Sequence, residues 1–319
     1  MKRFLLNFVV FLIVAGLMGS LVIYGTSVVR SDKGVSLLQV ITGNPVKRGG
    51  QTFLKFYEAE HLQEPLDILV IGSSRAFRSF DPAFFEENGI NMHILATSSQ
   101  APVNTYFIAK KYLAALKPKL VLFDVHLGLL NSNGLESLYD LCVNVPISNE
   151  LFEMALAIDQ PNAYSNCFSA LVNQLDTPLY YNYKYKTPKG YYKGFLREFK
   201  ADTSIVIKKS DTGVMRKKLT ARELSNLDYL TKTIRFIKKE KIPVVLTRQP
   251  VLSRENFQSE RAIINMAAKH KVPYINLNKY RNQLDPRVHY FDKNHLNAHG
   301  ALIVSEKTLE ELTRLGFKF

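Results

Sequence analysis

The chain has 319 residues, 46% of them hydrophobic and 22% charged, which is enough apolar material for a full core and too much for a disordered chain. Lys and Arg outnumber Asp and Glu by 42 to 28, a formal charge of +14 with a pI near 9.6, and this favours anionic surroundings such as phospholipid head groups, acidic glycans or a polyanionic envelope polymer. No nucleic-acid recognition motif accompanies the charge. The only two cysteines, Cys142 and Cys167, are spaced unlike any C-x-x-C pattern, so a pair of small buried side chains or one structural bridge is expected rather than zinc or redox chemistry.

Phe4 to Gly25 is apolar apart from Asn7 and Ser20, and at about 1.5 Å per residue it spans a bilayer core of roughly 30 Å. Lys2 and Arg3 precede it, so the positive-inside tendency predicts a cytoplasmic N-terminus and an extracytoplasmic remainder. The run is longer than the apolar stretch of a signal peptide and no A-x-A site follows, so an uncleaved anchor over residues 1–25 is expected rather than a removed leader. Outside the cytoplasm a disulfide between the two cysteines is chemically permitted. Residues 26–64 read as a juxtamembrane stalk with short helices around Val35–Ile41 and Thr52–His61.

The main domain is expected over 65–319. Asp67–Gly72 (DILVIG) is a short β-branched run closed by glycine, as in a strand buried on both faces of a parallel sheet. Similar runs recur at Met92–Ala96, Leu120–Asp124, Pro243–Thr247 and Pro273–Leu277. Helical patterns lie between them at Pro82–Asn88, Pro102–Leu116, Ala221–Lys239 and Glu255–His270, and Ala301–Leu315 closes the chain. Alternation of this kind predicts an α/β three-layer sandwich around a central parallel sheet, with ligands bound at the carboxyl ends of the strands.

An insertion of about 125–218 separates the third and fourth strands. Its front part, Leu135–Leu175, has helical spacing. Tyr180–Phe199 interleaves tyrosines with lysines and reads as a lid over the strand ends, with a solvated basic loop as the plainer alternative.

Two segments carry chemistry. Val70–Pro82 (VIGSSRAFRSFDP) brings Ser74 to the end of the first strand, where developing negative charge is favoured near a helix start; a turn serine is the plainer reading. His289–Leu312 holds Asp292 and His295 three residues apart, a separation at which a carboxylate can accept the imidazole Nδ1–H and leave Nε2 for a serine. The plainer reading makes Asp292 a cap of the last helix, with His295 in its first turn. Arg75 beside Ser74, and Arg248 and Gln249 after the fourth strand, are candidate substrate-binding groups on the same edge.

Together, a strand-end Gly72-Ser73-Ser74 and a D-x-x-H-L-N-x-x-G leading into the last helix resemble the SGNH (GDSL-like) hydrolase superfamily. The likeness is nearest its membrane-anchored acyl-transfer branches, the teichoic-acid D-alanylation and alginate or peptidoglycan O-acetylation types. It covers roughly 65–125 and 240–315. It implies an SGNH, flavodoxin-like fold and a catalytic triad of Ser74, Asp292 and His295, with the Ser74 N–H as an oxyanion donor. Two blocks depart from the family pattern. Ser99 stands where the second block has its oxyanion-hole glycine, and the third block's G-x-N-D is replaced by a stretch in which Asp124, His126 or Asn131 could stand in. The resemblance implies a serine esterase or O-acyltransferase, free of metal and nucleotide cofactors, acting on an envelope glycan or polymer in the periplasm or extracellular space, with a multi-spanning acyl-donor partner if it is a transferase. The rival expectation is a non-catalytic envelope or glycan-binding protein that keeps the fold.

Overall fold

A computed structural model describes residues 1–29, 36–41, 49–175, 187–205, 215 and 217–319. Five strands form one parallel sheet: β1 (Ile68–Gly72), β2 (Met92–Ala96), β3 (Leu120–Asp124), β6 (Val244–Arg248) and β7 (Tyr274–Asn276), in the order β2-β1-β3-β6-β7. Four lie within the runs expected from sequence, and β6 extends one residue past its run, to Arg248. β1 is in register with both neighbours, Ile68 opposite Met92 and Leu120. The order reverses between β1 and β3: the chain leaves β1 for β2 on one side and returns to β3 on the other. In such sheets the crevice between those two carboxyl ends is where ligands bind.

Alternation along each strand divides the core in two. Leu69, Ile71, Val121, Phe123 and Leu246 face a layer containing α3 (Gly50–Glu60), α6 (Pro102–Leu116), α10 (Ala221–Lys239) and α11 (Phe257–Lys269). Ile68, Val70, Leu120, Leu122 and Val245 face α4 (Ala76–Ser79), α5 (Pro82–Glu87) and α12 (Ala298–Arg314). Strands apolar on both faces require both layers, because either face left bare would expose a continuous hydrophobic surface.

The insertion adds α7 (Leu135–Asn144), α8 (Asn149–Ile158) and α9 (Pro161–Leu175), and their apolar faces join the core behind α3 and α6 through Leu138, Leu141, Leu151, Met154 and Ala163. One expectation changes here. α3 is not part of a stalk: Phe56 and Ala59 are core residues, and Lys55 is fully buried, its Nζ donating to the Ala96 carbonyl at 2.9 Å above the Phe77 ring.

Residues 180–186 of the segment expected as a lid lie outside the described residues. Among 187–199, β4 (Tyr191–Tyr192) and β5 (Phe195–Leu196) form a hairpin against the free edge of β2: Ile94 N–H donates to the Lys193 carbonyl at 3.1 Å, and Phe195 is fully buried. After the hairpin, the Glu198 carbonyl accepts the Ala298 N–H at 2.7 Å. An edge strand with unpaired backbone groups is a pairing hazard, and covering it removes the hazard. Gly194 allows the approach, since a Cβ there would stand 2.3 Å from the Ile94 carbonyl oxygen and its φ is +89°.

α1 (Lys2–Val28) has a mean hydropathy of 2.5 over its most apolar window, none of it buried, and is long and apolar enough to cross a bilayer. α1 packs against α9.

Candidate active site

The site lies at the carboxyl ends of β1 and β3. β1 ends at Gly72, where a Cβ would come within 2.9 Å of the Asp124 Cβ and 3.1 Å of the Ala76 Cβ, so only glycine lets β1, β3 and α4 meet this closely. The chain then turns sharply: the Ser73 carbonyl accepts the N–H of Ala76 at 2.9 Å, leaving Ser74 on the turn, half-exposed between buried Ser73 and Arg75.

Asp292 and His295 come from a separate hairpin, β8 (Tyr290–Asp292) and β9 (His295–Leu296), in which they are cross-strand partners. Asp292 therefore does not cap the last helix, and His295 precedes that helix. The cap is Asn297, whose side chain accepts the N–H groups of His299 and Gly300, each at 3.1 Å, and donates to the Val288 carbonyl at 2.7 Å. Gly300 belongs to the same construction, because a Cβ there would lie 2.3 Å from the His289 carbonyl oxygen. H-L-N-x-x-G thus fixes how α12 carries the hairpin.

Ser74 Oγ lies 2.8 Å from His295 Nε2, across 221 residues of sequence. On the far side of the ring, His295 Nδ1 lies 2.8 Å and 3.0 Å from the two Asp292 carboxylate oxygens. Asp292 Oδ1 also accepts the backbone N–H groups of Asn294 at 2.7 Å and His295 at 3.0 Å. Partial burial alone would raise this carboxyl, but the hydrogen bonds from His295 and the Asn294 N–H outweigh it and hold the pKa below the ordinary aspartate value. A carboxylate held ionised in this way can orient an imidazole and stabilise its protonated form.

No protein-family model and no curated protein matches the sequence. Among solved structures, a GDSL-like lipase from Bacteroides thetaiotaomicron aligns at 10% identity over 83% of this chain and 98% of its own, with a TM-score of 0.44. An acylhydrolase from Bacteroides fragilis described as putative aligns at 10% identity over 90% and 99%, TM-score 0.41. An acetylxylan esterase from Geobacillus stearothermophilus aligns at 10% identity over 81% and 97%, TM-score 0.41. The overlap is loose at these values, and the chemistry rests on the atoms of this chain.

The remaining residues singled out from sequence divide sharply. Ser99 adopts φ +50° in the turn after β2, the left-handed region where a glycine is favoured. Arg248 and Gln249 are not offered to the cleft. Arg248 is 7% exposed and donates to Glu255 Oε2 from Nε and Nη2, at 3.1 and 2.9 Å, while its Nη1 binds Glu260. Gln249 is buried, with Nε2 donating to Asp124 Oδ1 at 3.0 Å. Strand-end placement brought both to the right edge, but the neighbouring carboxylates turn them inward. Arg75 is also buried and donates to Glu255 Oε1 at 2.6 Å, so two guanidiniums share one carboxylate beneath the site.

Glu255 itself escaped the sequence reading, as did the cleft of about 440 Å³ that it lines with Arg75, His126, Asn131, Ser253 and Asn294. A carboxylate shortly after strand-end Arg248 is the one available signal for it. The cleft adjoins the hairpin turn, since Ser253 Oγ donates to Asn294 Oδ1 at 2.6 Å and Leu252 N–H donates to the Lys293 carbonyl at 2.9 Å. Its size is that of a small-ligand site.

Proposed function

We propose that the protein is a serine esterase or O-acyltransferase, anchored in a membrane by α1, that acts outside the cytoplasm on an acyl ester of an envelope glycan or polymer. The observation that carries this reading is the line Ser74 Oγ, His295 Nε2, His295 Nδ1, Asp292 Oδ2, with 2.8 Å at both hydrogen bonds. Two distant segments converge on it, and local structure does not require the Ser74–His295 distance.

In the proposed reaction His295 Nε2 takes the Ser74 proton as Oγ adds to the ester carbonyl. Asp292 stabilises the imidazolium, which then gives the proton to the departing alcohol as the C–O bond breaks. An acyl-Ser74 remains. Water, or a polymer hydroxyl, then adds to the acyl carbon while His295 takes its proton, and the imidazolium returns that proton to Ser74 Oγ as the acyl–Oγ bond breaks. The Ser74 backbone N–H, and that of Ser99 in its glycine-like conformation, are the proposed oxyanion donors.

The net charge of +14 fits a polyanionic polymer or bilayer surface. The apolar, unburied α1 behind Lys2 and Arg3 supports anchoring with the main domain outward. A transferase facing outward needs its acyl group delivered, and a multi-spanning donor partner is proposed for that case.

The test compares wild type and Ser74→Ala. Wild-type protein should form a covalent adduct with a fluorophosphonate and hydrolyse p-nitrophenyl acetate, and Ser74→Ala should do neither. Mass spectrometry of envelope polymers from cells with and without the gene should show changed ester content. A folded wild-type chain inert to both probes, with envelope esters unchanged, overturns the enzyme reading in favour of a binding protein.

A further inference from the structure

Adding a nucleophile to an ester carbonyl puts negative charge on oxygen, and a site that speeds the step needs hydrogen-bond donors there, a side-chain donor among them being worth about 10²–10³ in rate. Sequence left Asp124, His126 and Asn131 as candidates for that side chain. Asp124 is buried beneath Gly72 and bonded to Gln249. Asn131 is exposed, and its Oδ1 accepts the Thr220 hydroxyl at 3.0 Å.

His126 is differently situated. It follows β3 at the point where strand order reverses, opposite the turn that carries Ser73 and Ser74, and it lines the cleft with Arg75 and Asn294. Its Nδ1 lies 3.3 Å from Ser73 Oγ, so the two residues bridge the crevice between β1 and β3. They do not make a second nucleophile and base, because Ser73 is only 1% exposed and cannot meet a substrate. Ser73 can instead donate its O–H to Nδ1, which puts the ring proton on Nε2. Gly128 leaves that nitrogen clear, for a Cβ there would stand 3.1 Å from it.

We propose that His126 donates from Nε2–H to the oxyanion formed at Ser74, with Ser73 as the positioning residue that holds its tautomer. The inference rests on the serine-ester reading. Burial first, then the neighbouring Arg75 and His295, push the imidazole well below its ordinary range. At neutral pH it is an uncharged donor with one proton rather than a second cation beside His295.

The test measures kcat and KM for p-nitrophenyl acetate together with fluorophosphonate labelling of Ser74, in chains whose folding is checked by circular dichroism. His126→Ala should lower kcat about 10²–10³-fold with KM nearly unchanged. His126→Gln, whose amide N–H reaches about as far as Nε2, should recover part of the loss. Ser73→Ala should lower kcat less, again without moving KM. Gly128→Val is made at an exposed position and so tolerates the change in the fold, and it should lower kcat by crowding Nε2 from outside. His126→Ala as fast as wild type, His126→Gln no faster than His126→Ala, or Gly128→Val unchanged would each overturn the role of His126 while wild-type activity keeps the serine-ester reading intact. Wild type inert to both probes would overturn that reading, and this one with it.

Discussion

Asp292 and His295 are paired across a two-residue turn, Lys293 and Asn294, with the imidazole Nδ1 2.8 Å from Asp292 Oδ2. A two-residue turn fixes strand register, and one extra residue would move a side chain to the other face of the ribbon. Inserting a glycine between Lys293 and Asn294 should therefore lower ester turnover at least as much as Asp292→Asn, which is expected to cost about 10²-fold or more. The melting temperature should change little in Asp292→Asn, whose side chain is 41% exposed. Unaltered turnover in both variants, measured by stopped-flow or steady-state assay, would remove Asp292 from the chemistry.

Glu255 holds two buried guanidiniums at once. It is 6% exposed, Arg75 3% and Arg248 8% in their side chains. Neutralising it leaves buried Arg75 without a carboxylate and Arg248 with Glu260 alone, so Glu255→Gln should destabilise the fold by about 3–5 kcal/mol in urea unfolding. The exposed pair Lys232 and Asp228, 2.8 Å apart, serves as the comparison, and Lys232→Ala should cost no more than about 0.5 kcal/mol. Equal costs for the two variants would contradict this account.

Two buried titratable groups give the fold opposite pH responses. Burial pushes His93 down to about 4, its Nε2 bonded to the Lys55 carbonyl. Below the ordinary histidine value the unfolded chain takes up a proton that folded His93 refuses, so this stability is lost as pH falls from about 6.5 to about 4, a span worth roughly 3 kcal/mol. Burial pushes Asp124 up to about 7, against the hydrogen bond from Gln249 and the charge of Arg75. There the folded state keeps a proton the unfolded state releases, so stability is lost as pH rises from about 3.8 through about 7. Asp124→Asn should raise the urea midpoint at pH 8 and do little at pH 3.5, whereas His93→Gln should flatten the loss between pH 6.5 and 4. A pH-independent effect of either substitution would refute the assignment.

Cys142 of α7 and Cys167 of α9 place their sulfurs 3.5 Å apart, both buried and both free thiols. If the domain lies outside the cytoplasm, oxidation closes a loop across 25 residues, a constraint of about 3 kcal/mol in the chain-entropy model. Chain isolated from the envelope under alkylating, non-reducing conditions should then run 2 Da lighter than the reduced form (about one hydrogen per cysteine), and dithiothreitol should lower its melting temperature. Complete alkylation of both cysteines after denaturation would exclude the bridge.

The hairpin over β2 predicts a solubility effect rather than a catalytic one. Gly194→Val cannot meet the Ile94 carbonyl at the present distance, so the variant should expose the β2 edge and aggregate, as followed by light scattering. A monodisperse variant would show that the edge does not need this cover.

The five strands were legible because burial on both faces leaves a β-branched run in the sequence itself, and the Asp292–His295 pair was legible because three residues separate its members. The remainder was set by contacts between distant segments. Nothing near Ser74 specifies that His295, 221 residues away, ends 2.8 Å from it; the packing of α12 against α4 and the Asn297 cap bring it there. Arg248 and Gln249 occupy the strand-end positions their sequence indicated, yet Glu255, Glu260 and Asp124 turn them inward. Likewise the tyrosines and lysines of 187–199 could not reveal whether they would cover a cleft or an edge, because that depends on which strand the sheet leaves unpaired. Periodicity and composition are properties of a single segment. Which buried charge meets which partner, and which strand becomes an edge, are settled only when all the segments pack together.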